Sequence, residues 1–178
     1  MKIEKTPLHN AYTFEIEPIE DERGFFARTF CAQILSKQNV PFNLAQCNIA
    51  HNTYKNTIRG LHFQTPPYEE EKIVTCINGA IYDVIVDMNS DSPTCGQWFG
   101  VELSVENRRS LYVPKGFAHG YQTLDDNTTI HYMVSAFYQP SCEMGIRWDD
   151  PQLQINWIPA NHYILSDKDK KWPFYKKA

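Results

Sequence analysis

Over most of the chain, apolar and polar residues alternate in short runs, and they recur at helical spacing almost nowhere. The clearest runs read as strands: TIRGLHFQ (57–64), KIVTCIN (72–78), AIYDVIVDM (80–88), WFGVEL (98–103), SLYVP (110–114) and TTIHYMVSAFY (128–138). Turn signals separate them. Asn78-Gly79 is a hairpin dipeptide that tolerates positive φ, and further breaks fall at 90–96 (SDSPTCG), at Pro114-Lys115-Gly116 and at 124–127 (LDDN). One short segment, FCAQILSK at 30–37, is predicted helical, with Thr29 as its N-cap. Residues 159–178 are polar and aromatic without a period and read as an arm or a pair of short helices. Many short strands with little helix predict an all-β barrel or sandwich.

Successive side chains of a strand point to opposite faces. His62 and Gln64 therefore share a face with Ile58, while Arg59, Leu61 and Phe63 point the other way. Tyr132, Val134, Ala136 and Tyr138 oppose His131, Met133 and Ser135, and Asp83 and Asp87 lie with Ile81 and Ile85. If these are the inner faces, His, Gln and two Tyr line a pocket rather than a dry core.

Composition narrows the class. With 178 residues the chain fits one domain, 1–178, large enough to bury a core without a disulfide or metal. A net charge of −4 and a pI near 5.8 argue against a nucleic-acid partner. No apolar run approaches the ~18 residues of a membrane span, and the start, MKIEKTPLHNAYTFEIEP, lacks the apolar core of a signal peptide. Cys31, Cys47, Cys76, Cys95 and Cys142 are scattered without a CxxC, as expected of free thiols in a reducing, cytoplasmic setting.

Two stretches are dense in chemistry, RGLHFQTPPYEEEK (59–72) and VPKGFAHGYQT (113–123). The Pro-x-Gly-x-x-His spacing ending at His119 resembles the second motif of the cupin superfamily, in which a turn delivers a histidine into a barrel. Metal-binding cupins usually carry His-x-His in their first motif, and here the second histidine is Gln64. A neutral amide oxygen is a poor transition-metal ligand beside imidazole, so no metal is expected. A metal-dependent cupin using His62, His119 and a glutamate of 69–71 remains the competing reading. Taken alone, His119 also fits a hydrogen-bonded histidine at a barrel mouth, Tyr132 a core tyrosine, and Asp169 a solvated position in the charged run DKDKK.

RGFF (23–26), RGLHFQ (59–64), Lys72, SPTCGQW (92–98), PKGFAHGY (114–121), Tyr132, FYQPSCEMGIRW (137–148) and LSDKD (165–169) occur in that order. Across nearly the whole chain this pattern resembles the 3,5-epimerases of dTDP-4-dehydro-6-deoxyglucose. The resemblance implies a cupin-type β-barrel (a jelly roll) with short terminal arms and one or two short helices, assembled as a homodimer and working without cofactor or metal. It implies a nucleotide diphosphate sugar as substrate, epimerised beside its ketone. Such a reaction needs a base, an acid on the opposite face and a charge for the enolate. By resemblance, His62 is the base, Asp169 orients it, Tyr132 is the acid and Lys72 stabilises the enolate oxygen. Arg23 and Arg59 match positions that touch diphosphate or sugar, and Phe26 one that stacks on the base. Gln46, Asn48, His119, Tyr138 and Glu143 match positions near nucleotide or sugar.

Two departures qualify these expectations. Where the family commonly carries a carboxylate that accepts the N3–H of thymine, this chain has Arg28. Arginine has donors and no acceptor, so it cannot make that contact, and cytosine, whose N3 accepts, becomes an open reading beside guanine. The run Glu69-Glu70-Glu71 also replaces a more neutral family loop, which leaves the sugar open. A non-catalytic sugar-binding barrel is the remaining alternative.

Overall fold

The alternating runs pair into two antiparallel sheets packed face to face. A computed structural model describes residues 1–40 and 42–176. Strands are β1 (Lys2–Lys5), β2 (Tyr12–Glu15), β3 (Ile19–Asp21), β4 (Gly24–Phe26), β5 (Gln46–Asn52), β6 (Ile58–Gln64) and β7 (Lys72–Asn78). They continue as β8 (Ala80–Asp87), β9 (Trp98–Ser104), β10 (Arg109–Val113), β11 (Phe117–Thr123), β12 (Thr128–Val134) and β13 (Glu143–Gly145). One sheet has the order β1-β2-β10-β7-β12-β5 and the other β13-β6-β11-β8-β9, with β3 and β4 forming a separate hairpin. This is the expected cupin-like barrel.

Three apolar clusters account for the strand patterns. Between the sheets, Val74, Leu111, Val113 and Ile130 meet Ile81, Ile85, Leu103 and Phe117. Outside the five-stranded sheet, Ile58, Leu61, Val84 and Val86 are covered by Ile146, Leu153, Trp157 and Tyr175 from the C-terminal segment. Outside the six-stranded sheet, Ile73 and Met133 are covered by Leu35, Val40 and Phe42. Central strands such as β8 are thus buried on both faces, which explains their nearly unbroken apolar runs.

Several sequence expectations shift. The helix α1 spans Ala32–Lys37 with Cys31 at its N-cap and no side-chain cap, so Thr29 does not start it. Six residues make a marginal helix, and the fully buried Leu35 anchors it by packing. The N-terminal residues are an edge strand of the larger sheet rather than an arm. Residues 159–176 hold no α-helix, only a 3₁₀ turn at Asp169–Lys171. β12 stops at Val134, so Ala136 and Tyr138 lie beyond it. β5 and β11 were not anticipated as strands, and both carry site residues.

One irregularity matters for function. β11 pairs with β6 as His119 opposite His62 and Tyr121 opposite Arg59, so β6 has one extra residue between the two pairs. At Gly60, in that bulge, φ is +125°, and a Cβ there would lie 2.6 Å from the Gly120 Cα and 2.8 Å from the His119 carbonyl oxygen. Only glycine permits this conformation and this approach.

Candidate active site

A cavity of about 430 Å³ opens between the sheets, lined by Gln46, Asn48, His62, Gln64, Lys72 and Tyr132 among others. A second lobe of about 230 Å³ adjoins it and shares His62, Lys72 and Tyr132, adding Arg59, His119 and Tyr121. Strict alternation placed Arg59 on the opposite face from His62. The bulge at Gly60 breaks that alternation and brings both to the cavity.

The two sheets supply different chemistry. From the five-stranded sheet come Arg59 and His62 on β6, His119 on β11 and Glu143 on β13. From the six-stranded sheet come Gln46 and Asn48 on β5, Lys72 on β7 and Tyr132 on β12, with Tyr132 in register with Asn48. His62 and Tyr132 therefore face one another across the cavity from separate sheets.

His62 lies 2.5 Å, Nε2 to Oδ1, from Asp169, which is buried behind β6. The Asp169 backbone N–H donates to the Ser166 hydroxyl at 3.1 Å, which fixes the turn. Burial pushes the Asp169 carboxyl upward, but the hydrogen bond and charge of His62, with Ser166 and the Gly60 amide, outweigh it and hold it below its ordinary value. It stays ionised at neutral pH and can fix the imidazole tautomer. The edge of Trp172 flanks the ring, with centroids 6.1 Å apart. Asp169 thus reaches the site although its local sequence reads as solvated tail.

Tyr132 is half-buried, and among the described residues its hydroxyl has no hydrogen-bond partner, so it is not a core tyrosine with a satisfied hydroxyl. Burial first, and then the negative charge of Glu70, raise its pKa against the opposing charge of Arg59. The phenol is therefore fully protonated at neutral pH and available as a donor.

The remaining charged side chains each have a hydrogen-bond or ion-pair partner. Lys72 Nζ lies 3.1 Å from a Glu70 carboxylate oxygen. Arg59 donates from Nε to the Asn52 side-chain oxygen at 2.7 Å. His119 Nε2 lies 2.8 Å from Oδ1 of the fully buried Asp83, whose other oxygen has no partner among the described residues. At the outer rim the Tyr138 hydroxyl and the Lys168 ammonium both donate to Glu143 Oε2 at 2.6 Å. Burial pushes Glu143 upward, but these two donors prevail and hold its pKa below the ordinary value. The Tyr138 amide donates to Gln46 Oε1 at 3.1 Å.

Three expected binding residues do not reach the cavity within this chain. Arg23 and Phe26 sit on the exposed β3–β4 hairpin and Arg28 on the exposed segment after it. The Arg23 guanidinium is held by Asp21 and Phe26 is 69% exposed, while Arg108 lies over the Phe25 ring at 4.2 Å. Sequence reasoning in turn named Glu70 only within the acidic run 69–71, and passed over Trp172 and the pairing of Asp83 with His119. Glu70 stands two residues before Lys72, the spacing that puts two strand residues on one face. Asp83 had the signal of sharing the inner face of Ile81 and Ile85, whereas Trp172 had none.

The donor set for a metal is not assembled. The Nε2 atoms of His62 and His119 each face their own aspartate, and among the described residues no group of three or more His, Cys, Asp or Glu side chains is placed to hold an ion. No helix of the described residues is long and apolar enough to cross a membrane.

An imidazole–carboxylate pair facing a protonated phenol, with an ammonium beside them, suits proton removal on one face of a carbon and delivery on the other. Comparison with known proteins agrees with this geometry. A family model described as dTDP-4-dehydrorhamnose 3,5-epimerase matches residues 5–177. A protein of that name from Sinorhizobium fredii is 43% identical over 153 residues, covering 86% of this chain and 78% of its own. The crystal structure of the Bacillus anthracis str. Ames enzyme of that name, with TDP and PPi bound, superimposes with a TM-score of 0.94 at 41% identity, covering 98% of this chain and 99% of the other. The dTDP-6-deoxy-D-glucose-3,5-epimerase of Legionella pneumophila Philadelphia 1, in complex with dTDP-4-keto-L-rhamnose, gives 0.91 at 36% identity, covering 97% and 92%. With its barrel, its facing acid–base groups and its sequence in agreement over nearly the full length, this chain belongs to the dTDP-4-dehydrorhamnose 3,5-epimerase family.

Proposed function

We propose that this protein, acting as one domain of residues 1–178, epimerises C3 and C5 of a 4-keto-6-deoxy sugar carried on a nucleoside diphosphate, a step of deoxysugar precursor synthesis. The observation that carries this reading is the His62–Asp169 pair on one sheet facing the Tyr132 phenol on the other across a shared cavity. His62 removes the proton α to the ketone, Lys72 stabilises the enolate oxygen, and Tyr132 returns a proton to the opposite face. Both carbons flank the same ketone, so one base and one acid serve both once the ring has turned. Acceptor, donor and enolate charge are all side chains, so the chemistry calls for no cofactor. The test is to incubate the protein with dTDP-4-keto-6-deoxyglucose in D₂O and follow the sugar by NMR. Deuterium is expected at C3 and C5 with inversion at both. Exchange at one carbon alone removes the double epimerisation, and no exchange removes the enzyme reading in favour of a sugar-binding barrel.

The cavity supplies Arg59 and His119 for the sugar or diphosphate, and Gln46, Asn48, Tyr138 and Glu143 toward the rim. Arg23, Phe26 and Arg28 then act on the nucleotide from a second copy of the chain, in a homodimer. In support, the hairpin exposes Ile19, Phe25 and Phe26, and the strand β5, which carries exposed Ile49, is an unpaired sheet edge. Sedimentation at micromolar concentration is expected to show a dimer. The reducing, cytoplasmic setting fits five free cysteines.

Arg28 makes base selectivity weak. Without an acceptor for thymine N3–H, dTDP and CDP are expected to bind within about tenfold of one another. Arg28→Glu restores an ionised acceptor and is expected to shift the preference toward dTDP by about ten- to a hundredfold, the range of a charged hydrogen bond. Calorimetric titration with dTDP, UDP and CDP reads this out. A strong dTDP preference in the native protein that Arg28→Glu abolishes overturns it.

A further inference from the structure

The acidic loop before β7 has no role in the mechanism above, yet it sends one carboxylate into the cavity. Glu70 lines the cavity wall, and its side chain is only 12% exposed, as is that of Lys72. One carboxylate oxygen lies 3.1 Å from Lys72 Nζ, and the other accepts from Gln64 Nε2 at 3.2 Å. Gln64 is itself buried and tied on both ends. Its amide nitrogen also faces the carbonyls of Tyr68 at 2.9 Å and Phe137 at 3.3 Å, and its oxygen accepts from the Gln139 amide at 2.6 Å. The neighbouring glutamates point elsewhere. Glu69 lies toward Gly116, outside the cavity, and the Glu71 backbone is tied to Ser135, just beyond β12.

We propose that Glu70 is a positioning residue of this reaction: held by Gln64, its carboxylate fixes the Lys72 ammonium at the ketone end of the cavity and sets the charge that the Tyr132 phenol faces. This rests on the epimerase reading. A lysine ammonium on four rotatable bonds stabilises an enolate only if it is already in place when charge develops. The ion pair supplies that order, and the buried Gln64 supplies the rigidity behind it. The position Gln64 leaves vacant as a metal ligand thus becomes the anchor of a carboxylate–ammonium pair. Glu70 also raises the Tyr132 pKa, after burial and against Arg59. The other charged or titratable groups around the two lobes are Arg59 and His62 on β6, Lys72 on β7, His119 and Tyr121 on β11, Tyr138 beyond β12, and Glu143 on β13, with Asp169 behind His62.

Glu70→Gln keeps the shape and an acceptor for Gln64 while removing the charge. It is expected to lower kcat about tenfold with KM within about twofold. The alkaline limb of kcat is expected to move down, because the carboxylate that faces Tyr132 favours the protonated phenol. Glu70→Asp keeps the charge and is expected to restore the limb, and Glu69→Gln, one residue outside the cavity, to leave rate and limb unchanged. Tyrosine labelled with ¹³C at Cζ gives a readout independent of activity: in the free protein Tyr132 is expected to titrate lower in Glu70→Gln than in the native protein. An unmoved Tyr132 titration in Glu70→Gln, or an equal shift in Glu69→Gln, overturns the proposal. A native protein that exchanges no sugar proton while Tyr132 still responds to Glu70→Gln overturns the epimerase reading instead.

Discussion

His62→Ala is expected to lower the rate of deuterium entry at C3 and C5 by about 10² to 10⁴, the usual worth of a positioned general base. The ring does the work through its environment. Its Nε2 lies 2.5 Å from a buried carboxylate that stays ionised, so one tautomer is held and a positive charge on the ring is stabilised. The substitution removes the acceptor and leaves Arg59, Lys72 and the rim residues, the proposed substrate contacts, in place. Affinity for dTDP is therefore expected to stay within about threefold, a loss in kcat rather than in binding. Asp169→Asn is the companion. It keeps the shape but removes the charge, and is expected to be slow for the same reason. Exchange in His62→Ala at the native rate removes the mechanism altogether.

Tyr132→Phe is expected to separate two events that the native enzyme joins. The base on the other sheet is intact, so the α-proton is still removed and replaced by deuterium from the same side. Inversion requires a proton from the far face, and phenylalanine has none to give. Exchange should therefore continue while epimerised product falls by about 10² to 10⁴. The change deletes one oxygen that has no hydrogen-bond partner among the described residues, so thermal stability is expected to hold. His62→Ala loses exchange and inversion together, and Tyr132→Phe keeps the first and loses the second. Inversion by Tyr132→Phe at the native rate would place the acid elsewhere and leave Tyr132 as cavity lining.

Much of the barrel is legible in period-two runs because each strand packs its side chains against cores set by strand faces. KIVTCIN at 72–78 becomes β7 with the boundaries its pattern predicts, and AIYDVIVDM becomes β8 less one residue. Strands that carry polar residues to the cavity were harder to see. β5 alternates exposed and half-buried positions, so QCNIAHN lacks the apolar rhythm of a core strand. β11 begins just after a Pro-Lys-Gly turn that masks its start. The helix was placed two residues early because its start rests on the burial of Leu35 rather than on a side-chain cap.

By its own pattern the sequence determined an all-β chain, the shared strand face of His62 and Gln64, and the run of motifs that identifies its family. Local periodicity and motif spacing are properties of neighbouring residues, so no tertiary information is needed to read them. The tertiary structure decided which groups meet. A one-residue bulge at Gly60 turned Arg59 inward against strict alternation. The chain had to fold back over a separation of 107 positions from His62 before a tail aspartate became a buried partner. The opposition of base and acid exists only because two sheets close on one cavity, and the loop glutamate that grips Lys72 is positioned by a buried glutamine. Contacts of this kind depend on chain closure over long separations, and their energies come from burial and charge pairing in three dimensions. The local sequence of either partner carries no record of them.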